Sequence, residues 1–155
     1  TIELPMQVTC SRWYDEAVAV ERGPLLYALK MEENWERKEM EPEKQIEYGP
    51  YYYEVTSPTK WNWCITRESL MNFDEAFQLE RKDIDRNLYP WNLENAPLSI
   101  HVKAKEMLDW EESRGSASQI CFSTQWSNDT GEEAMIELIP YGCTTLRIAL
   151  FPERW

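Results

Sequence analysis

Apolar and polar side chains alternate with a period of two along most of the chain, which is the signature of half-buried β-strands. In "TIELPMQVTC" (1–10), Ile2, Leu4, Met6, Val8 and Cys10 share one face, and Thr1, Glu3, Gln7 and Thr9 share the other. Pro5 lacks a backbone donor, which assigns this strand to a sheet edge or a bulge. "PLSIHVKAK" (97–105) sets Leu98, Ile100, Val102 and Ala104 against Ser99, His101, Lys103 and Lys105, the pattern of an antiparallel strand with one wet face. "QICFSTQW" (119–126), "AMIELIP" (134–140) and "TLRIALF" (145–151) predict three more strands. Their apolar sides carry Ile120, Phe122 and Trp126, then Ala134, Ile136 and Leu138, then Leu146, Ile148 and Leu150. "YYYEVT" (51–56) and "AFQLER" (76–81) are shorter candidates. Pro140 and Gly142 in "PYGCT" supply turn chemistry, so the last two long strands are expected to form a C-terminal hairpin.

Helical spacing is scarce. "ENWERKEMEPEK" (33–44) is too polar for a buried helix and reads as a turn or two before Pro42, or equally as a solvated loop. "ESLMNFDEAF" (68–77) offers one more short helix, while "EESRGSASQ" (111–119) and "WSNDTGEE" (126–133) read as surface loops. In "AVAVERGPLLYALK" (17–30), two apolar runs flank Glu21, Arg22, Gly23 and Pro24. The residue before proline is driven to extended geometry and Pro24 withholds a ladder hydrogen bond, so this stretch is expected to break or bulge a strand. Glu21 and Arg22 would then sit at a strand junction, paired across a domain seam. Many strands, few short helices and closely spaced loops predict an all-β protein, an antiparallel, jelly-roll-like β-sandwich.

The 155 residues suffice for one domain with its own core, or for a domain plus part of a neighbour. The chain opens directly on a strand pattern with neither an initiator Met nor a signal peptide, which reads as a segment of a longer polypeptide. Twenty-eight acidic residues against 16 basic ones give a formal net charge of −12. That charge argues against nucleic acid and against anionic membrane surfaces as partners. No apolar run reaches the length of a spanning helix.

Candidate chemistry is sparse. Cys10, Cys64, Cys121 and Cys143 are scattered, with no C-x-x-C pair, and His101 is the sole histidine. A zinc site built wholly from this chain is therefore not expected, and neither is any cofactor. Four cysteines allow three disulfide pairings, but each lies in a strand-like segment and reads as a small buried hydrophobe. Asp83 with Asp85, and Glu111 with Glu112, are carboxylate pairs of the type glycosidases use. In so acidic a chain, solvated surface charge is the simpler reading. His101 has no recognisable nucleophile, and Cys143 has only Arg147 close by as a cation, so neither reads as catalytic.

Aromatics carry more weight, at 13% of residues with eight Trp and eight Tyr. Trp61, Trp63, Trp91 and Tyr52 cluster in phrases rich in turn formers, where a sugar could lay its C–H face on a ring and Asn62 or Asn92 could bind its hydroxyls. These six are the candidate carbohydrate-binding residues. The alternative is core: burying a tryptophan removes about 150–250 Å² from water and contributes on the order of 4–6 kcal/mol.

Four phrases, "SRWYDEAVAVERGPLLYALK", "YYYEVTSPTKWNWC", "APLSIHVKAKEMLDW" and "IELIPYGCTTLRIALFP", together resemble the C-terminal region of glycoside hydrolase family 127, the β-L-arabinofuranosidase-type enzymes. The resemblance spans almost the whole chain and is strongest in "ERGPL-Y-L" and "IPYGCT-LR". It implies a catalytic (α/α) barrel followed by β-sandwich domains, with the zinc ligands and the cysteine nucleophile in the barrel. Those motifs have no counterpart here, so no catalytic or metal role passes to this chain. Residues 1–31 would end the preceding sandwich, or pack its strands onto the main one, and residues 32–155 would form the C-terminal sandwich. The expected function is that of a non-catalytic accessory region that supports the barrel or mediates dimerisation. The alternative is a carbohydrate-binding module for plant oligosaccharides. A self-sufficient hydrolase using Asp83, Asp85 or Glu112 is a weaker third reading. The resemblance also suggests a periplasmic or extracellular setting.

Overall fold

The computed structural model describes residues 6–14, 17–85, 87–119 and 130–154. Its first half runs through β1 (Val8–Arg12), β2 (Val18–Arg22), β3 (Leu25–Leu29) and β4 (Asn34–Glu39) to the single turn α1 (Gln45–Tyr48) and β5 (Tyr51–Thr56). β6 (Trp63–Thr66), α2 (Arg67–Met71), α3 (Phe73–Ala76), β7 (Gln78–Arg81) and β8 (Leu98–Met107) follow. The last elements are β9 (Glu112–Ser113), β10 (Ser116–Ala117), β11 (Thr130–Pro140) and β12 (Glu153–Arg154). The protein is mostly β with a few short helices, as expected.

Eight strands form one hydrogen-bonded path, β1-β2-β3-β11-β8-β6-β12, with β7 also on β8. Every pairing on it is antiparallel except β12 on β6. The two strands of lowest propensity for a core, β4 and β5, make a separate exposed hairpin, and β9 and β10 make a minimal one.

β8 shows how the alternation is used. Ile100, Val102 and Ala104 are fully buried, whereas Lys103 is exposed and His101 half-buried. One edge of β8 pairs with β11 from Ile100 to Met107. Its other edge is shared: β6 covers Ala104–Glu106 and β7 covers Leu98–His101. β6 and β7 thus behave as one strand interrupted by a helical excursion. Thr66 caps that excursion by accepting from the Ser69 amide, and the Ser69 hydroxyl donates to the Lys103 carbonyl in the gap, 3.2 Å away. The cap of the interruption thus also satisfies the Lys103 acceptor at the centre of the sheet.

The core gathers Val18 and Val20 of β2, Tyr27 and Leu29 of β3, Trp63 and Ile65 of β6, the inward residues of β8 and β11, and Phe151. Phe151 belongs to the C-terminal crossover, where the structure departs from expectation. The expected hairpin of residues 134–151 does not form. A 3-10 turn at Tyr141–Cys143 redirects the chain, and residues 144–152 cross the molecule without a ladder of their own. Their carbonyls and amides are used one at a time: Leu29 N–H donates to Ile148 O, Val18 and Phe151 exchange two bonds, and Ile65 N–H donates to Pro152 O. The crossover thereby ties β2 and β3 to β6, curling the sheet.

Two further local expectations are corrected. Residues 34–39 are strand, not helix or loop. Trp35, Arg37 and Glu39 alternate with Asn34, Glu36 and Lys38, and cross-strand contacts replace burial: Trp35 packs edge-on to Tyr53 at 5.7 Å, and the Arg37 guanidinium lies 4.0 Å from the Tyr51 ring centre. Gly23-Pro24 does break the strand run, but as a tight turn and without a bulge. It is the two-residue loop of the β2–β3 hairpin, pairing Arg22 with Leu25. Gly23 has φ 57° and proline fixes a negative φ after it, the sign pattern of a II′ turn. Arg22 is buried and its Nε has no hydrogen-bond partner, so the expected ion pair with a neighbouring domain is not seen among the described residues.

Candidate functional site

The structure separates the six candidate sugar-binding residues. Trp63 is buried in the core, its indole donating to the Lys60 carbonyl at 2.9 Å. Trp61 is half-buried and meets Trp110 edge-to-face at 5.0 Å. Asn62 between them spends its side-chain amide on the Met107 carbonyl at 2.6 Å, locking the start of β6 against the end of β8. Tyr52 stands on the exposed β4–β5 hairpin, on the face opposite Trp35, Tyr51 and Tyr53. Trp91 and Asn92 lie elsewhere, in the loop before β8, and these two do line a cleft together.

That cleft encloses about 350 Å³ between the base of the β4–β5 hairpin, the 91–94 loop and the 142–147 crossover. Its walls include Glu33, Trp35, Trp91, Asn92, Glu94 and Arg147. Trp35 is 53% exposed and Trp91 40%, so both rings present area to a ligand. Glu33 organises the floor. Its Oε1 accepts from the Thr144 hydroxyl (2.9 Å), the Thr145 amide (2.5 Å) and the Leu146 amide (3.2 Å), and its Oε2 accepts from the Trp35 indole (3.1 Å). Burial works against ionisation of Glu33, but these donors win and hold its carboxyl below the usual value. Arg147 donates from Nε to the Thr144 carbonyl at 2.9 Å and lies 4.6 Å from the Tyr141 ring centre. Asn92 accepts from the Asn95 amide at 2.8 Å, which fixes its side chain. The sequence pointed to Trp91 and Asn92, but Glu33, Trp35 and Arg147 come together only through the crossover, which has no local signature.

A second concavity, about 510 Å³, crosses the outer face of β2 and β3. Trp13, Ala19, Leu26, Trp110, Ile148 and Leu150 make it predominantly apolar, with Glu21 and Arg147 as the charged members of its lining. It explains the unbroken apolar runs around Gly23-Pro24. Val18, Val20, Tyr27 and Leu29 face the core, while Ala19 and Leu26 on the alternate positions face this groove. Strands that are apolar on both faces are strands meant to be covered on both. Trp13, part of this lining, is 59% exposed.

Outside the two concavities, one grouping of serine, histidine and glutamate forms. Ser99, His101 and Glu80 do converge, with His101 2.9 Å from Glu80 and 3.3 Å from Ser99. Both contacts use the same imidazole nitrogen, Nε2, so the ring cannot take a proton from one partner while the other orients it. Glu80 has no local sequence signal as a partner, because it reaches His101 across the β7–β8 pairing. Asp83, Asp85, Glu111 and Glu112 are exposed, and Asp85 is occupied in capping the Asn87 amide. The free thiols are masked by burial: Cys10 is pushed up to about 12 and Cys64 to about 11, and Cys143 is also raised. Cys121 lies outside the described residues, as do Ile120, Phe122 and Trp126 of the strand expected at 119–126. Among the described residues no group of three or more His, Cys, Asp or Glu side chains is arranged to hold a metal ion, and no helix is long and apolar enough to cross a membrane. Comparison with protein-family models, with curated proteins and with solved structures yields no match to this chain.

Proposed function

We propose that the chain is a non-catalytic accessory region of a glycoside hydrolase resembling family 127, whose role is to support a helical catalytic barrel. The supporting observation is the apolar groove on the outer face of β2 and β3, bounded by Trp13, Leu26, Trp110, Ile148 and Leu150. An open apolar surface of this kind is characteristic of an interaction face. In this reading the curled sheet is part of a jelly-roll-like antiparallel sandwich. Residues 1–31 end a preceding sandwich and join residues 32–155 through the β3–β11 pairing. Dimerisation through the same groove is the alternative role.

Sedimentation of the purified chain with a separately produced family-127 barrel distinguishes these. Co-sedimentation that is lost in Trp13→Asp supports the barrel as occupant. Self-association lost in the same variant supports the dimer instead. A monomer that ignores the barrel counts against both.

A further inference from the structure

We propose that the cleft between Trp35 and Trp91 is a binding site for an uncharged saccharide residue; it shares only Arg147 with the lining of the apolar groove, and both tryptophan platforms lie outside that groove. Two partly exposed indoles wall the cleft on different segments, one on the hairpin strand β4 and one on the 91–94 loop. The faces of aromatic rings carry negative potential and attract the polarised C–H bonds of a sugar ring. Around these platforms stand hydrogen-bonding groups of both kinds. Among the described residues, the terminal nitrogens of Arg147 have no ion-pair or hydrogen-bond partner, although Nε is anchored to Thr144 and the plane rests near Tyr141. Asn92, held through its Oδ1 by Asn95, offers its NH₂ group, and Glu94 offers an exposed acceptor. Anchored donors beside an acceptor suit vicinal hydroxyls, which both give and receive hydrogen bonds.

Charge selects among sugars. Glu33 is ionised but fully engaged by four donors, Glu94 faces solvent, and Arg147 supplies the one cation of the lining. The local balance of one positive against two negative groups, inside a chain of net charge −12, repels a carboxylated sugar and leaves a neutral one unopposed. Six lining residues come from three separate segments, and Glu33 ties two of them together. The site is therefore built by the fold and held in place before any ligand arrives.

The test is heteronuclear NMR of the indole N–H resonances, with Trp35 and Trp91 assigned through Trp35→Phe and Trp91→Phe. Neutral galactose and arabinose oligosaccharides are titrated beside galacturonic acid oligomers of equal length. The expected result is saturable shifts confined to the Trp35 and Trp91 signals, with affinity of about millimolar for the neutral sugars. Trp91→Ala should weaken binding roughly tenfold, and Arg147→Met should do so while leaving the other indole signals in place, which reports an intact fold. Binding of the acidic oligomers alone would overturn the charge assignment. Absence of saturable shifts with any neutral sugar, or shifts centred on Trp13 and Trp110, would overturn the site.

Discussion

The carboxylate of Glu33 lies 2.5 Å from the backbone nitrogen of Thr145, joining the base of the exposed hairpin to a crossover 112 residues later in the chain. The same oxygen also accepts from Leu146, so the crossover is steered at the point where a hairpin would otherwise have begun.

Glu33→Ala is expected to destabilise the protein by about 1–3 kcal/mol, since several charge-assisted hydrogen bonds are lost at once. The sign with pH follows from its lowered carboxyl. The stabilisation is present above the ordinary glutamate value of about 4.3 and disappears as pH falls through the lower folded-state value. Urea denaturation at pH 7 and at pH 3 should therefore show the largest gap between wild type and Glu33→Gln at pH 7. Equal gaps at the two values would remove the ionic part of the explanation.

Glu153 closes the other end of the crossover. Its buried carboxylate accepts from Arg12 of β1 and from Arg67 at the start of α2, the latter at 2.7 Å. Burial opposes its ionisation, and the two guanidinium partners outweigh that and keep the carboxyl low. Glu153→Gln is expected to cost about 1–3 kcal/mol, kept below the range for fully buried pairs because Arg12 is more than half exposed. Thermal unfolding at pH 7 checks this, and a change below about 0.5 kcal/mol would show that the pair only decorates the surface.

Two glycines give a matched contrast. Gly23 has φ 57°, and a Cβ there would sit 2.5 Å from the Met6 sulfur. The left-handed backbone alone costs roughly 1–2 kcal/mol for alanine, whereas the methionine tip can move aside. Gly142 has no positive φ and open space around its Cβ position, so Gly142→Ala should lie within about 0.5 kcal/mol of wild type. Comparable losses at both positions would contradict the II′ turn.

Thiol chemistry should be quiet. Burial raises Cys10, Cys64 and Cys143, which leaves almost no thiolate at neutral pH. Alkylation followed by mass spectrometry should label these three at least about tenfold more slowly in the native protein than in urea. Rapid native labelling of Cys143 would reopen it as a reactive group.

The parts of the fold legible in the sequence are those where one face is dry and the other wet. β8 is the clear case: its alternation predicts the strand and the core positions Ile100, Val102 and Ala104, although Ser99, expected on the wet face, is fully buried and Leu98 only half-buried. β4 was illegible because nothing in it is buried and its support is cross-strand, from Tyr51 and Tyr53. The course of residues 144–152 departs from the hairpin that its alternation predicts because its partners, Glu33, Val18, Leu29 and Ile65, are remote in sequence. Tryptophan phrases signalled aromatic packing without saying where it faces. Trp63 went to the core while Trp91 stayed at the surface, and only the second lines the polar cleft.

The central proposal is an accessory role toward a barrel, and a binding partner that prefers the folded barrel must raise its apparent stability. The measurement is the thermal midpoint of a separately produced family-127 barrel with and without about 100 μM of this chain, chosen to exceed a micromolar dissociation constant by roughly 100-fold. The expected result is a rise of several degrees that vanishes with Trp13→Asp, because that charge enters the apolar groove. A midpoint unchanged by the wild-type chain, or raised equally by the variant, would contradict the proposed role.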